Sequence, residues 1–270
     1  MEDIVGAAVK ESNLPRSSLT IVSKFVIQAN KDPSAALQET LAKTGLDYID
    51  VYLMHWPWST KADGKGYHQK GESPTFIETW IRMQKLLGPT CKAIGVSNFT
   101  QLTLDELLAA QGVTVTPAIN QVELHALNPN LNLVPYCKEK GIHVMSWSTL
   151  GGPPAPGKSN PIINDSFFHD LAKKYDCGVG VVSLSWCVQR GVTVIPKSAN
   201  LGRIEENIRL VHLSDDDMDA MNRVGEKLGK VRLADDISFG KGHVEGKGPV
   251  LFGWTKEEYG WEDNQGNWLV

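Results

Sequence analysis

The sequence predicts an α/β fold derived from the (β/α)8 barrel, incomplete at about six recognisable strands and followed by a long C-terminal tail. Three observations lead to this expectation. Short apolar, β-rich segments alternate with helical patterns, the apolar segments are nearly continuous in hydrophobic residues, and polar residues stand where each segment ends. Such alternation is typical of parallel βαβ units, whose strands are covered by helices on both faces.

Six segments are predicted as strands, and helical patterns lie around them. The strand segments are Leu19–Phe25, Tyr48–His55, Ala93–Val96, Ala118–Val122, His143–Trp147 and Val192–Ile195. The helix segments are Asp3–Glu11, Pro33–Lys43, Thr75–Leu87, Leu102–Ala110, Leu131–Glu139, Asp165–Lys174, Gly180–Gln189 and Asp215–Gly229. Start signals support several helices, since a proline follows Asp32 and three aspartates follow Ser214.

An open, doubly wound sheet and a barrel both fit this alternation. No predicted strand is followed by the G-x-G-x-x-G turn that a dinucleotide-binding open sheet usually has. Polar residues at the strand ends favour the barrel, because such side chains face the mouth, where barrel enzymes hold their sites. They are Lys24, His55, Ser97, Asn98, Asn120, Gln121, Ser146, Trp147, Ser148, Lys197 and Ser198.

The composition is that of a globular protein. Of the 270 residues, 41% are hydrophobic and 21% are charged, and the formal net charge of −4 gives no reason to expect nucleic acid or an anionic membrane as partner. The N-terminal residues are acidic and no long apolar stretch occurs, so we expect a cytoplasmic protein. The cysteines are far apart and are expected to be buried thiols.

We predict a single domain over residues 1–270, with the barrel in 1–237 and the tail in 238–270. The tail is rich in Gly and Trp and shows no periodicity. Six strands are fewer than a closed barrel requires, and an open arc has two unpaired edges. We therefore expect the tail, or a second subunit in a homodimer, to cover the gap.

Residues 194–207 predict a phosphate site. A strand ending at a proline is followed by Lys197, Ser198, Asn200 and Arg203, which lead into a helix. Backbone donors at a helix N-terminus, together with two cations, suit a phosphate monoester, and Arg with Lys is the pair expected at a ribose 2′-phosphate. A solvated loop with ordinary charges is the alternative.

This segment resembles the NADP-binding signature of aldo-keto reductases of the fungal or yeast type. The same family is indicated by Leu46-Asp-Tyr-Ile-Asp-Val-Tyr-Leu-Met-His-Trp-Pro57, Gly95-Val-Ser-Asn-Phe99, Ile119-Asn-Gln-Val-Glu123 and Trp147-Ser-Thr-Leu-Gly151. These motifs cover nearly the whole chain from residue 2 to about 230. The resemblance implies a (β/α)8 barrel that binds NADPH across its mouth without a Rossmann motif.

The resemblance also implies which residues hold the cofactor. The nicotinamide carboxamide would be bound by Ser97, Asn98 and Gln121, and the ring would stack on Trp147. The pyrophosphate would lie beside Ser148, Leu150 and Gly151. The 2′-phosphate would be held by Lys197, Ser198, Asn200 and Arg203, and the adenine would lie near Glu206 and Asn207.

Only part of the family's catalytic tetrad of Asp, Tyr, Lys and His is matched, by Lys24 and His55. The matching Asp and Tyr belong to a strand that would end just upstream of Met1, so we expect the family's first two strands and its general acid to be absent. Three interpretations stay open: a shortened gene product, a protein that lost reductase chemistry, and an enzyme in which other groups serve.

Both matched residues are candidates for proton transfer. An imidazole titrates near neutrality, and burial is expected to lower the pKa of Lys24. Tyr52 is a poor replacement acid, because counting by two from His55 along the strand directs it away from the mouth. The predicted substrate pocket consists of Trp56, Tyr67, His68 and Trp254, although the tail aromatics could instead fill the space of the missing strands.

Residues 152–159 match the Walker A pattern, but their three prolines have no N–H to offer a phosphate, and a lid over the cofactor is the better interpretation. The sequence thus predicts an NADPH-dependent oxidoreductase acting on a small carbonyl substrate with impaired or altered proton delivery. The alternatives are a non-redox isomerase, dehydratase or cyclase on the same barrel, and a catalytically inactive NADPH-binding protein.

Overall fold

The computed structural model describes residues 1–152, 159–237 and 240–269, and its fold is a parallel α/β fold with six parallel strands. The strands are β1 (Val22–Phe25), β2 (Ile49–Met54), β3 (Cys91–Ser97), β4 (Ile119–Glu123), β5 (His143–Trp147) and β6 (Thr193–Val194), followed by β7 (Lys241–Val244) and β8 (Gly248–Leu251). The helices are α1 (Glu2–Glu11), α2 (Pro33–Thr44), α3 (Phe76–Gln84), α4 (Gln101–Ala109), α5 (Leu133–Glu139), α6 (Pro161–Asn164), α7 (Ser166–Lys174), α8 (Val179–Gln189), α9 (Leu201–Asn207), α10 (Asp215–Leu228) and α11 (Lys256–Tyr259).

Each of the six predicted strands is confirmed, three of them with shorter bounds, and the strand predicted at Val192–Ile195 is reduced to the two residues of β6. All the predicted helices are confirmed to within a few residues at each end. The short helix α6 was not predicted, because only four residues lie between its start at Pro161 and the next helix cap, Asp165.

Helix ends follow the predicted chemistry. The Asp32 carboxylate accepts a hydrogen bond from the backbone N–H of Ala35 at 3.0 Å and caps α2. The same helix ends at Gly45, whose φ of 60° lies in the left-handed region that glycine adopts without strain. Thr75 and Glu78 form a reciprocal capping box at the start of α3, which satisfies two N–H groups that would otherwise have no partner.

The chain divides into two compact units, and the first consists of residues 1–120 with 240–268. In this unit β1, β2 and β3 pair in parallel and in chain order, with Lys24 opposite Leu53 and Leu53 opposite Gly95. Its core holds Trp80, which is fully buried and donates its indole N–H to the Val115 carbonyl at 3.0 Å.

The second unit consists of residues 121–239 with 269–270, and β4 begins in the first unit and ends in this one. Here β5 pairs in parallel with β6, with Ser146 opposite Val194. The core of the unit is built around α8, in which seven consecutive residues from Val181 to Cys187 are buried. Trp186 of this helix donates to the Asn222 side chain at 3.0 Å and so ties α8 to α10.

The tail differs from its expectation. Residues 240–269 were predicted to be irregular, but β7 and β8 form an antiparallel hairpin, and α11 follows it. The tail is fastened within the first unit by Lys70, whose ammonium group contacts the Glu106 carboxylate at 2.5 Å and the Glu258 carbonyl at 3.0 Å. Alternation over two four-residue strands is too short to stand out in a sequence, so the hairpin was missed.

Cys91, Cys137 and Cys187 are buried free thiols, as expected, and Cys177 is half-buried. Burial raises the pKa of the Cys91 thiol to about 11, so it is not a nucleophile near neutral pH. None of the described helices is long and apolar enough to cross a membrane.

Gly95 is the tightest backbone approach in the β-sheet of the first unit. A Cβ atom at this position would lie 2.7 Å from the Ile119 carbonyl oxygen and 2.6 Å from the Leu53 side chain. We therefore expect Gly95→Ala to lower the free energy of unfolding by roughly 1–3 kcal/mol, as overpacking does. Gly242→Ala is the control, because its Cβ would meet only Val250 at 3.5 Å. Denaturant unfolding of both variants checks this, and equal midpoints would contradict it.

Candidate active site

The catalytic candidates of the first unit share one edge of its sheet. Lys24 lies on β1 opposite Leu53 of β2, and His55 is two residues beyond Leu53 on the same strand. Ser97 is likewise two residues beyond Gly95, the partner of Leu53 on β3. Because side chains alternate along a strand, Lys24, His55 and Ser97 lie on one face. The register therefore groups these residues as the sequence predicts.

Tyr52 lies on the opposite face, also as predicted. Its ring is fully buried, and its hydroxyl is 3.3 Å from the Thr40 hydroxyl on α2. Burial is the main cause that raises the pKa of Tyr52 above its usual value, so the phenol is a structural group of the helix layer.

The electrostatics of this edge differ from the expectation. Burial lowers the pKa of the Lys24 ammonium group, as predicted. The pKa of His55 is lowered to about 4, first by burial and then by the positive charge of Lys24. The prediction that His55 titrates near neutrality is therefore wrong, and the imidazole is neutral at pH 7.

Asn98 ties the end of β2 to the end of β3. Its side-chain N–H donates to the His55 carbonyl at 2.9 Å and to the Ser97 hydroxyl at 3.2 Å. Its φ of 63° is a left-handed conformation, which Asn tolerates better than most residues. Ser97 and Asn98 are both buried, so their polar side chains are held in fixed positions beside His55.

The aromatic residues proposed for the substrate pocket are mostly packed together. Trp56 stacks on Trp58 at 4.0 Å between ring centroids, and Trp58 stacks on Phe252 of the tail at 4.2 Å. Trp254 is 3% exposed and packs against Phe76 and Tyr259. The assignment of Trp254 to the pocket wall stays a prediction, beside the alternative in which tail aromatics fill the space of the missing strands.

Tyr67 and His68 lie in the loop after β2, both half-buried. The Tyr67 ring meets Phe252 edge-on at 4.9 Å, and the His68 Nδ1 atom lies 3.5 Å from the Glu72 carboxylate. Both side chains are therefore already engaged in contacts within the loop and the tail. Only Trp56 of the four pocket candidates adjoins His55, with 6.2 Å between the two ring centroids.

The second unit holds most of the residues matched to cofactor binding. Gln121 on β4 is buried, and Trp147, the last residue of β5, is half-buried. Ser148 follows with a φ of 53°, which turns the chain sharply after the strand. Below this turn the Ser146 hydroxyl donates to the Leu124 carbonyl at 2.7 Å, so the strand end is anchored to its neighbour.

Asn160 holds the segment after β5 in place, and the sequence analysis did not single it out. Its side-chain N–H groups donate to the Leu150 carbonyl at 2.7 Å and to the Gly152 carbonyl at 3.0 Å. Its Oδ1 atom accepts from the Ile162 N–H at 3.0 Å. Gly151 has a φ of 79° and no room for a Cβ atom, which would lie 2.7 Å from the Asn160 side chain. Residues 153–158, which include most of the Walker A match and the lid predicted there, lie outside the described residues.

The predicted phosphate site is a compact, exposed turn before α9. The Ser198 hydroxyl accepts from the Asn200 backbone N–H at 3.1 Å and lies 3.4 Å from Arg203 Nε. The Asn200 side chain caps α9 by accepting from the Arg203 N–H at 3.0 Å. Neither Lys197 nor Arg203 has an ion-pair partner among the described residues, and both are exposed. The side-chain cations fit a phosphate group, while the helix end is already capped by its own asparagine.

Glu206 is exposed and Asn207 is half-buried at the end of α9. The Glu206 carboxylate lies against Gly178, where a Cβ atom would be 2.5 Å from its Oε1 atom. Glu206 and Asn207 lie on the same short helix as Arg203, which is where the match to the family's adenine site puts them.

A buried carboxylate–imidazole contact in the second unit was also missed. The Glu123 carboxylate accepts from the Leu233 N–H at 2.7 Å and from the Ala234 N–H at 3.2 Å, and lies 3.0 Å from His125 Nε2. It thus fixes residues 232–234 against the end of β4. The alternation Glu123-x-His125 directly after a strand was the available signal.

The fold is that of the aldo/keto reductase family, to which the chain belongs. The sequence model of the family matches residues 1–226. The chain is 41% identical to glycerol 2-dehydrogenase (NADP(+)) of Saccharomyces cerevisiae, over 86% of this chain and 78% of the relative. It is 36% identical to D/L-glyceraldehyde reductase of Hypocrea jecorina, over 84% of this chain and 72% of the relative.

Solved structures agree with this membership. The Bombyx mori aldo-keto reductase AKR2E4 in complex with NADP is 32% identical with a TM-score of 0.72, covering 85% of this chain and 79% of that chain. The aldose reductase from Giardia lamblia is 30% identical with a TM-score of 0.76, covering 86% and 81%. The fold similarity thus extends over most of both chains in each case.

The depressed pKa of His55 gives a measurable prediction. Between about pH 4 and 6.5 the unfolded chain binds a proton at His55 that the folded chain does not, so stability from this group is full above pH 6.5 and is lost as the pH falls toward 4. We expect His55→Gln to flatten the dependence of unfolding free energy on pH in this window. Lys24→Met is expected to raise the pKa of His55 only in part, because burial is the larger cause. NMR titration of the imidazole measures the pKa of His55 in the wild type and in Lys24→Met, and denaturant unfolding at several pH values measures the effect of His55→Gln. A wild-type pKa near 6.5 would contradict the lowered pKa of His55.

Proposed function

We propose that the chain is an NADPH-dependent oxidoreductase that acts on a small carbonyl compound or the corresponding alcohol. The observation that carries the proposal is the pair of exposed cations, Lys197 and Arg203, on either side of Ser198 and without a carboxylate partner among the described residues. Such a turn suits the 2′-phosphate that distinguishes NADPH from NADH. Relatives named as an NADP(+) dehydrogenase and as a glyceraldehyde reductase support the same assignment.

We assign the cofactor contacts residue by residue. In the first unit, Ser97 and Asn98 would hold the nicotinamide carboxamide. In the second, Gln121 would hold the carboxamide and Trp147 the ring face, Ser148, Leu150 and Gly151 would border the pyrophosphate, and Lys197, Ser198, Asn200 and Arg203 would hold the 2′-phosphate, with Glu206 and Asn207 at the adenine. When bound, NADPH supplies the hydride that reduces a carbonyl carbon.

The proton for the carbonyl oxygen must come from another group. His55 is neutral at pH 7, so its ring N–H donates a hydrogen bond to that oxygen and polarises the carbonyl without a full positive charge. Lys24 lies on the same face of the sheet and adds a positive field that stabilises a developing alkoxide. Trp56, beside His55, would contact the rest of the substrate.

We further propose that proton delivery by these 270 residues is impaired or altered. The Asp and Tyr that the family resemblance pairs with Lys24 and His55 are not matched by residues of this sequence. Tyr52 faces the helix layer, and burial raises its pKa above the usual value, which makes it a poor acid. No observation favours a non-redox reaction or an inactive cofactor-binding role. A homodimer and a cytoplasmic location stay predictions.

An assay of cofactor oxidation tests the proposal as a whole. NADPH consumption is followed with a panel of small aldehydes, ketones and hydroxyaldehydes, and NADP+ reduction with the matching alcohols. Consumption that depends on one of these substrates supports the proposal. Substrate turnover without cofactor consumption would refute it.

We expect NADPH to bind about ten- to a hundredfold more tightly than NADH, because charge-assisted contacts to the phosphate contribute roughly 1.5–3 kcal/mol. Arg203→Ala should remove most of this preference and leave NADH binding nearly unchanged. Arg209→Ala is the matched control, since Arg209 is also exposed just after α9 but is not part of the turn at Ser198. Fluorescence quenching measures the dissociation constants; equal values for the two cofactors in the wild type would disprove the assignment.

Turnover is expected to be slow with every carbonyl substrate. A positioned general acid typically contributes about 10²–10⁴-fold to the rate, and His55 as a neutral donor replaces only part of that effect. Single-turnover rates measured with saturating NADPH test this point directly. Rates typical of a fast reductase would show that another group delivers the proton efficiently.

His55→Ala is expected to lower kcat at least tenfold and leave NADPH affinity unchanged, since His55 acts on the substrate oxygen in the transition state. Because its pKa is about 4, His55 adds no pH dependence to the wild-type rate between pH 6 and 8. His169→Ala is the control, because that histidine is exposed on α7 and its imidazole lies 2.9 Å from the Ile163 carbonyl. A variant that keeps full kcat and shows only a raised KM would instead make His55 a binding residue.

A further inference from the structure

A cavity of about 480 Å³ lies in the first unit, apart from the residues assigned to catalysis. Its lining includes Asn30, Lys31, Ser59, Lys61, His68 and Arg82. Lys24, His55 and Ser97 do not line it. A cavity of this size falls within the range of small-molecule sites. Nothing in the assigned cofactor or substrate contacts accounts for it.

The lining is cationic because three separate segments bring their charges to it. Lys31 precedes α2, Lys61 lies in the loop after β2, and Arg82 lies on α3. No aspartate or glutamate is among the lining residues. Three cations that line one cavity favour an anion bound there.

Two carboxylates stand nearby, and each contacts a lining residue, Glu78 the Ser73 hydroxyl and Glu72 the His68 imidazole. Glu78 accepts from the Ser73 hydroxyl at 2.7 Å and from the Thr75 N–H at 3.0 Å. Glu72 accepts from the Gln69 N–H at 2.9 Å. Both carboxylates feel the charges of Arg82 and Lys61 at longer range, yet neither comes close enough for an ion pair with them among the described residues.

Two buried atoms of the lining residues have no partner in the described part of the chain. They are Nη1 of Arg82 and Oδ1 of Asn30. Asn30 is 1% exposed, and its side-chain N–H donates to the Trp58 carbonyl at 2.8 Å, which fixes the orientation of the amide. A buried polar atom without a partner costs free energy, so a ligand that pairs with either atom would remove that cost. Arg82 lacks an acceptor, and Asn30 lacks a donor.

From these observations we infer that the cavity binds a small phosphate monoester that also carries hydroxyl groups, such as a sugar phosphate. The phosphate would lie against Arg82, Lys31 and Lys61, since a guanidinium fork and ammonium groups suit its oxygens. A hydroxyl would donate to Asn30. The inference does not depend on the proposed oxidoreductase activity, because Lys24, His55, Trp56 and the assigned cofactor contacts do not line this cavity.

Calorimetric titration of the full chain tests the inference with glucose 6-phosphate, inorganic phosphate and glucose as probes. The titrations use a Lys197→Ala/Arg203→Ala background, so that binding at the proposed 2′-phosphate turn cannot contribute. We expect glucose 6-phosphate to bind, inorganic phosphate to bind more weakly, and glucose not to bind. Arg82→Gln in this background should weaken glucose 6-phosphate at least tenfold.

Lys85→Gln is the matched control, because Lys85 is an exposed cation at the end of α3 that does not line the cavity. If Arg82→Gln fails to fold by circular dichroism, the exposed pair Lys31→Gln/Lys61→Gln provides the same test. Asn30→Ala should weaken glucose 6-phosphate but not inorganic phosphate. The site would be overturned if neither glucose 6-phosphate nor inorganic phosphate bound in the Lys197→Ala/Arg203→Ala background. Equal affinities of the cavity variants and Lys85→Gln for glucose 6-phosphate would overturn it as well. Equal affinity for the two phosphates would overturn the hydroxyl contact.

Discussion

Parallel pairing of β1, β2 and β3 is the constraint on which the catalytic edge depends. Parallel strands all end at the same edge, and the register sets Lys24, Leu53 and Gly95 in one row. The next residues on the same face, His55 and Ser97, then follow in a second row. A shift of one residue in either pairing would turn these side chains toward the helices, where Tyr52 lies. Gly95 helps to hold this register, because its backbone comes too close to Leu53 and Ile119 for any side chain.

The same burial that makes the edge rigid also decides its chemistry. Lys24 and His55 are both half-buried at this edge, and the Trp56 ring lies beside His55. Desolvation penalises the charged form of each, and the charge of Lys24 further penalises protonation of His55. The imidazole is consequently a fixed hydrogen-bond donor, with its proton held over the whole neutral range. Asn98 adds to this fixed geometry by its contact with the His55 backbone.

The strand and helix pattern, the polar strand ends and the family could be predicted from the sequence, because each depends on local periodicity or on ordered motifs. The pKa of His55 could not, since it depends on packing and on Lys24, which is far away in the chain. The burial of Trp254 was missed for the same reason, as its partners Phe76 and Tyr259 come from different segments. Asn160 was missed because an asparagine that fastens a turn has no periodic signature. The cavity at Arg82 is formed by loops, whose course a pattern of strands and helices does not define.

The tail makes the first unit the later of the two to be completed during synthesis. This unit is discontinuous in the chain, because residues 240–268 complete a structure that begins at residue 1, whereas all but two residues of the second unit form one continuous segment. On the ribosome, residues 121–239 of the second unit are therefore made while Trp58 still lacks Phe252 as its stacking partner. Until residues 240–268 emerge, aromatic surface around Trp56 and Trp58 stays open to water and to other chains. Chaperone contact during translation would then concentrate on residues 1–120.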